Sequence, residues 1–194
     1  MGIVRKQSII GSIWVYLGAG LGFVTSALLF PHYLDAEQIG LLNLLVTYGM
    51  LFAQFAAAGF QNTITRMFPY FRDETKKHNG FLFLTLAVVG IATILMIGVF
   101  FATEPLITQS NDKGGSLLQE YGLLIVPMFV FIVLFNILDT YTKALYNATR
   151  GILQKEVVLR ILTLILIVAF IFNAVNYHQF VYLYVACYGL IFLY

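Results

Sequence analysis

Charged side chains are scarce in this sequence, since Asp, Glu, Lys and Arg together make up 10% of its 194 residues. Apolar residues make up 60%, more than one soluble core of this length can bury. The few basic residues form no continuous patch, so a nucleic-acid-binding surface is not expected. The composition therefore predicts a membrane protein whose apolar surface contacts lipid.

Cysteine is also nearly absent, because Cys187 is the only one and lies in an apolar run. A single cysteine excludes an intrachain disulfide and supplies no metal-binding spacing. His32, His78 and His178 each lie alone at the boundary of an apolar segment. No nucleophile with a nearby base, no carboxylate pair and no metal-ligand cluster is visible. The sequence gives no support for an enzyme, a metal site or a cofactor.

Long uncharged runs are what the sequence has instead. The clearest covers residues 80–102, about 23 residues, which can cross roughly 30 Å of hydrocarbon at about 1.5 Å per residue. The same pattern along the chain predicts five complete spans and a partial sixth, at about 8–30, 39–64, 80–102, 121–141, 157–175 and 180–194. The predicted fold class is an all-α polytopic membrane helix bundle, formed by a single lobe over residues 1–194. Because the sixth run is short, we expect the chain to be truncated inside its sixth helix.

Prolines and polar loops are expected to separate these spans. Pro31 is expected to end the first helix, Pro69 to end the second and Pro127 to kink the fourth. A polar loop is expected from Thr103 to Gln119.

Basic residues lie almost entirely on one side of this arrangement. Of the eleven Lys and Arg residues, only Lys113 falls in a loop predicted for the opposite side. Because cytoplasmic loops carry an excess of Lys and Arg, the amino terminus is predicted to be cytoplasmic.

Small residues recur on one face of the first span. Gly11, Gly18, Gly22 and Thr25 share this face, and Gly18 and Gly22 form a small-xxx-small pair. We therefore expect this span to pack closely against another helix.

Polar side chains recur at helical spacing in the second and fourth spans. The second span carries Asn43, Thr47, Gln54, Gln61 and Thr65, and the fourth carries Asn136, Asp139, Lys143, Asn147 and Arg150 along an expected continuous helix. Such side chains either line a hydrophilic substrate cavity or bond neighbouring helices, and the sequence leaves both readings open. The cavity candidates are Asn43, Thr47, Gln54, Gln61, Asn136 and Asp139. Asp139 is expected to pair with Lys143, with coupling to a proton or sodium ion as the alternative.

Cations next to the predicted inner surface form a second candidate group. These are Arg66, Arg72, Lys76, Lys77, Arg150 and Arg160. Each is a candidate contact for a lipid phosphate, although orientation in the membrane alone explains them equally well. Glu156 and Arg160 are spaced for a helical ion pair.

Three stretches carry a resemblance to a known family. They are FPHYLDAEQIG at residues 30–40, AGF at 58–60 followed by RMFPYF at 66–71, and EVVLRIL at 156–162. The chain resembles the amino-terminal half of bacterial polysaccharide biosynthesis proteins, the oligosaccharide flippases of the multidrug/oligosaccharidyl-lipid/polysaccharide exporter superfamily. The resemblance implies the first lobe of a two-lobe exporter, with the carboxy-terminal lobe missing. Membrane lipids and a lipid-linked sugar are the implied partners, and alternating access is the implied mechanism.

Other functions are compatible with the same pattern. A multidrug or cation antiporter of this superfamily is expected to carry a buried acid in its first span, and residues 8–30 contain none. A lipid II flippase and a non-transporting membrane scaffold both remain alternatives.

Overall fold

The computed structural model describes residues 3–73, 80–109 and 115–191, which are helical almost throughout and contain no strand. The α-helices are α1 (Ile3–Gly22), α2 (Phe30–Tyr33), α3 (Ala36–Ala56), α4 (Phe60–Phe71), α5 (Phe81–Gln109), α6 (Gly115–Tyr121), α7 (Ile125–Ala144), α8 (Ala148–Ile152), α9 (Leu159–Ile171) and α10 (Tyr177–Leu190). Two π-helical segments, Phe23–Leu29 and Leu153–Val158, join α1 to α2 and α8 to α9, and a 3-10 turn, Gly122–Leu124, joins α6 to α7.

Four helical stretches are long and apolar enough to cross a membrane. They are Arg5–Tyr33, Ala36–Ala56, Phe81–Pro105 and Leu117–Ala144. The predicted all-α class is therefore confirmed. Among the described residues, four helical stretches are candidates to span a membrane. The stretch from α8 to α9 is also long but carries four charged residues, and α10 has 14 residues, about 21 Å. The fifth and sixth spans stay predictions.

Prolines do not end the helices where the sequence predicted. Pro31 lies in the first turn of α2, where its missing N–H costs little, and helix continues to Tyr33. Pro69 lies inside α4, which ends two residues later, and Pro105 lies inside α5, so the expected loop from Thr103 is helical as far as Gln109. Pro127 is the third residue of α7, directly after the 3-10 turn Gly122–Leu124, and the kink expected at Pro127 stays a prediction.

The chain divides into two compact units. The first unit comprises Met1–Asn43 and Ala148–Tyr194, and the second comprises Leu44–Asn147. In the first unit α1 packs along the stretch from α8 to α9, and α10 packs on α9. The ring of Phe180 in α10 lies 5.4 Å from that of Phe170 and 6.4 Å from that of Phe30, which closes one end of this unit.

The second unit has an aromatic core. Phe52 of α3 contacts Phe100 of α5 and Phe129 of α7, with ring centroids 5.6 Å and 5.8 Å apart. Phe68 of α4 contacts Phe81 of α5 at 5.9 Å and Tyr141 of α7 at 5.2 Å. Two levels of rings therefore hold α3 and α4 against the same two helices.

Candidate functional site

The helix predicted over residues 39–64 is interrupted, so that prediction of one continuous helix is wrong. Helix α3 ends at Ala56, Ala58 and Gly59 have φ of 48° and 73°, and α4 begins at Phe60. The left-handed conformation suits Gly59 but costs a non-glycine residue such as Ala58 about 1–2 kcal/mol. Residues 56–59 are Ala-Ala-Ala-Gly and contain no proline, so the sequence pattern did not predict a break here.

The break replaces helical hydrogen bonding with tight turns. The Ala58 N–H donates to the Phe55 carbonyl at 3.0 Å, and the Phe60 N–H donates to the Ala57 carbonyl at 2.8 Å. At the start of α4, no side chain caps the helix. The Gly59 carbonyl in turn accepts from the N–H groups of Asn62 at 3.0 Å and Thr63 at 3.3 Å, so local bonds replace the regular helical pattern at the break.

The ring contacts give the depth of the break within the second unit. Residues 57–59 lie between Phe52, which contacts Phe129 near the start of α7, and Phe68, which contacts the start of α5 and the end of α7. They are about 8–10 Å from the level of Phe52 and about 15 Å from the level of Phe68 along the helix direction. The break is thus level with the central parts of α5 and α7.

Polar groups at the break are exposed. Ala58, Gly59 and the side chain of Gln54 are exposed, and Gln61 is half-buried. Exposed irregular backbone at membrane depth is tolerated only against protein or a water-filled cavity, since lipid offers no hydrogen bonds. This face of the second unit therefore requires a polar or protein neighbour if α3 and α4 lie in a membrane.

The break also divides the predicted polar stripe. Asn43, Thr47 and Gln54 lie on one exposed face of α3, whereas Gln61 and Thr65 lie on α4, where the Thr65 hydroxyl donates to the Gln61 carbonyl at 3.0 Å. These residues therefore form two short polar faces and not one. Their role in a cavity stays a prediction.

Asp139 and Lys143 form the ion pair that the sequence predicted. Lys143 Nζ donates to Asp139 Oδ2 at 2.5 Å. The Lys143 side chain is 47% exposed and the Asp139 side chain is 14% exposed. Asp139 Oδ1 is buried and has no hydrogen-bond partner among the described residues. Asn136, one turn earlier in α7, is half-buried. One oxygen of the carboxylate is thus satisfied and the other is not.

The predicted continuation of this second stripe is wrong. Helix α7 ends at Ala144, Tyr146 has a φ of 63°, and α8 begins at Ala148. Because the chain turns here, Asn147 and Arg150 do not continue the face that carries Asp139.

The candidate phosphate-contacting cations lie in different surroundings. The Arg72 guanidinium lies over the ring of Tyr146, 4.5 Å from its centroid, in a cation–π contact. Arg66 and Arg150 are exposed. Lys76 and Lys77 lie outside the described residues.

In the first unit, the predicted small-residue face is confirmed as a packing seam. Between residues 5 and 29 the buried residues are Gly11, Gly18, Gly22 and Thr25. A Cβ at Gly18 would overlap the backbone carbonyl of Glu156, and a Cβ at Gly22 would overlap the guanidinium of Arg160. The sequence predicted that the first span packs closely against another helix. That partner is formed by the π-helical segment Leu153–Val158 and by α9, which follows it. Both helices are π-helical next to this seam, a geometry that often marks functional sites.

Arg160 lies deeper than its sequence position indicated. Arg160 packs against Gly22, which lies about 16 Å from Tyr33 at the end of the first helical stretch. Along its own helix, Arg160 lies about 16 Å from Ile171, the last residue of α9. The guanidinium makes no ion pair in the described part of the chain, so the pair expected with Glu156 is not formed. Because the fifth span was predicted to start at residue 157, sequence reasoning placed this cation near the membrane surface.

No protein-family model, characterised protein or solved structure matches this chain.

Proposed function

We propose that this chain is the amino-terminal lobe of a transporter that moves a lipid-linked oligosaccharide or polysaccharide precursor across the bacterial inner membrane by alternating access. The interrupted helix at residues 57–59 is the observation that carries the proposal. Broken helices near mid-depth are a recurrent feature of transporter binding sites, where exposed backbone groups contact the solute. The residue-level resemblance to oligosaccharide flippases supports the choice of substrate.

The proposed topology has five complete spans and a partial sixth, with the amino terminus in the cytoplasm. In this topology the stretch from α8 to α9 crosses the membrane with its charged residues, and the inner-side loops carry most Lys and Arg. Helix α10 forms the partial sixth span. A topology reporter fused near Gly114 is expected outside, and one fused near Lys76 inside.

The neutral polar residues and the cations have separate roles in this proposal. Gln54 and Gln61, on either side of the break, offer amide donors and acceptors that suit sugar hydroxyls. Arg160 offers a mid-depth guanidinium, the group best shaped for bidentate contact with a phosphate. An ionisable residue inside a membrane is costly, which favours a functional reason for its position.

A vesicle assay tests the proposal directly. The full-length protein that contains this lobe is reconstituted with a polyprenyl-diphosphate-linked oligosaccharide that carries a fluorophore on its sugar, and a membrane-impermeant quencher reports which leaflet holds the sugar. We expect the protein to accelerate movement between leaflets, and Arg160→Gln to slow it by about tenfold, as expected for a lost charge-assisted hydrogen bond. Lys155→Gln, an exposed neighbour in the same stretch, is the matched control and is expected to transport normally.

Equal rates in vesicles with and without correctly folded protein would contradict the proposal. Movement of an organic cation against an imposed ion gradient, without movement of the lipid-linked sugar, would favour the antiporter alternative.

A further inference from the structure

A mostly apolar groove, with two serine hydroxyls in its wall, lies at the amino-terminal end of the first unit and is about 590 Å³ in volume. Its walls include Ser8, Ser12, Val15 and Tyr16 of α1, and Ala148 and Ile152 of α8. This volume is typical of sites for small molecules and head groups, about 300–1,000 Å³. Arg160 is not among the residues that line this groove.

The hydroxyls in this groove differ from most others in the helices. Thr25, Thr85, Thr93 and Thr140 each donate to the carbonyl four residues earlier and so satisfy themselves. Within the described residues, the Ser8 and Ser12 hydroxyls make no hydrogen bond. Two exposed donors one turn apart are therefore available to a ligand.

A cation continues the same face of α1. Arg5, Ser8, Ser12 and Val15 follow one another at spacings of three, four and three residues, which places them in one row along the helix. Lys6 lies about 100° further round the helix from Arg5 and therefore falls outside this row. Both cations are exposed, so they differ mainly in the face that they occupy.

The row passes from charged to apolar over a short distance. Arg5 lies about 10 Å along the helix from Ser12 and about 16 Å from Tyr16. A phospholipid has the same order, with a phosphate at the surface, ester oxygens below it and acyl chains further in. Basic pockets between helices on the cytoplasmic side are a recurrent type of anionic-lipid site.

We propose that this groove binds an anionic phospholipid of the inner leaflet, with the phosphate at Arg5 and the ester region at Ser8 and Ser12. This inference rests on the cytoplasmic position of the amino terminus in the proposed function, but it does not require transport. Charge complementarity selects an anionic lipid over a zwitterionic one.

Trp14, the only tryptophan of the chain, lies in α1 beside the groove residue Val15 and serves as the probe. The protein is reconstituted in phosphatidylcholine vesicles in which either brominated phosphatidylglycerol or brominated phosphatidylcholine replaces part of the lipid. Bromine quenches tryptophan fluorescence at short range, so the two quenching curves give the relative affinity of the two lipids for sites near Trp14. We expect phosphatidylglycerol to be preferred by about fivefold, the effect of one well-placed cation.

Arg5→Gln is expected to reduce this preference to about one, whereas Lys6→Gln is expected to leave it unchanged. An equal loss from both variants would show diffuse surface charge and would overturn the site, as would a wild-type preference of one. Displacement of the lipid by soluble glycerol phosphate would also overturn the lipid assignment, in favour of a free anion. The quenching measurement does not depend on transport. If the protein transports its substrate but shows no preference for phosphatidylglycerol, the lipid site is contradicted and the proposed function is not. An outside position for the amino terminus in the topology test would instead contradict the proposed function.

Discussion

The two compact units hold their helices together by opposite means. In the first unit, α1 presents Gly11, Gly18 and Gly22 to its neighbour. The neighbour's backbone leaves no room for a Cβ at Gly18, and the Arg160 guanidinium fills the space at Gly22. In the second unit, Phe52 and Phe68 fill the spaces between helices with rings. Without a hydrophobic driving force between helices in lipid, both solutions depend on close packing, but they fail in different ways. A backbone seam tolerates no added atom, whereas a ring contact tolerates a smaller apolar side chain.

The largest expected effect comes from breaking the seam of the first unit. Gly18→Leu forces its side chain against the backbone carbonyl of Glu156, which cannot move as a side chain tip can. We expect a loss of about 1–3 kcal/mol in the free energy of unfolding, measured by denaturant titration of the protein in mixed micelles. Gly20→Leu is the matched control, since a Cβ at Gly20 meets no atom within 4 Å, and we expect little change. Equal losses at both positions would show that the seam is not responsible.

A smaller effect is expected at the break in the second unit. Gly59→Ala places a Cβ on a backbone with a φ of 73°, and we expect a loss of about 1–2 kcal/mol from this strain alone, because nothing lies within 4 Å. Gly98→Ala, in the middle of α5 and equally open, is expected to be neutral or slightly stabilising in the same titration. Stabilisation by Gly59→Ala would mean that the helix is continuous there.

The smallest effect is expected from thinning the ring core. Phe52→Leu keeps an apolar side chain but loses ring contacts with Phe100 and Phe129, and we expect a loss of about 1 kcal/mol. Phe55→Leu, one turn away and 64% exposed, is the control and is expected to be neutral. A loss for Phe52→Leu as large as for Gly18→Leu would remove the contrast between the units.

The sequence predicted what depends on short-range spacing. The glycine face of α1 was predictable because residues 18 and 22 share a face of any helix, and the Asp139–Lys143 pair because the two are one turn apart. The helical class followed from composition and from long apolar runs.

What the sequence did not predict depends on contacts between distant segments. The break after Ala56 lies in Ala-Ala-Ala-Gly, which is compatible with a continuous helix until packing at Phe52 and Phe68 holds α3 and α4 in place. Arg160 packs against Gly22, about 138 residues away along the chain, and no local pattern contains this contact.

The central claim is that the break at residues 57–59 faces water inside the membrane, and paired cysteines test it most directly. Ala58→Cys and Ile94→Cys are made in a background with Cys187 replaced by Ser. Ile94 is 69% exposed and lies at a similar depth on the all-apolar part of α5, as judged from the Phe52–Phe100 and Phe68–Phe81 contacts. Both variants are treated in membranes with a membrane-impermeant thiol reagent, with and without the lipid-linked oligosaccharide. We predict that Ala58→Cys is labelled under at least one of these conditions and that Ile94→Cys is not, whereas protection of both cysteines under both conditions would contradict the claim.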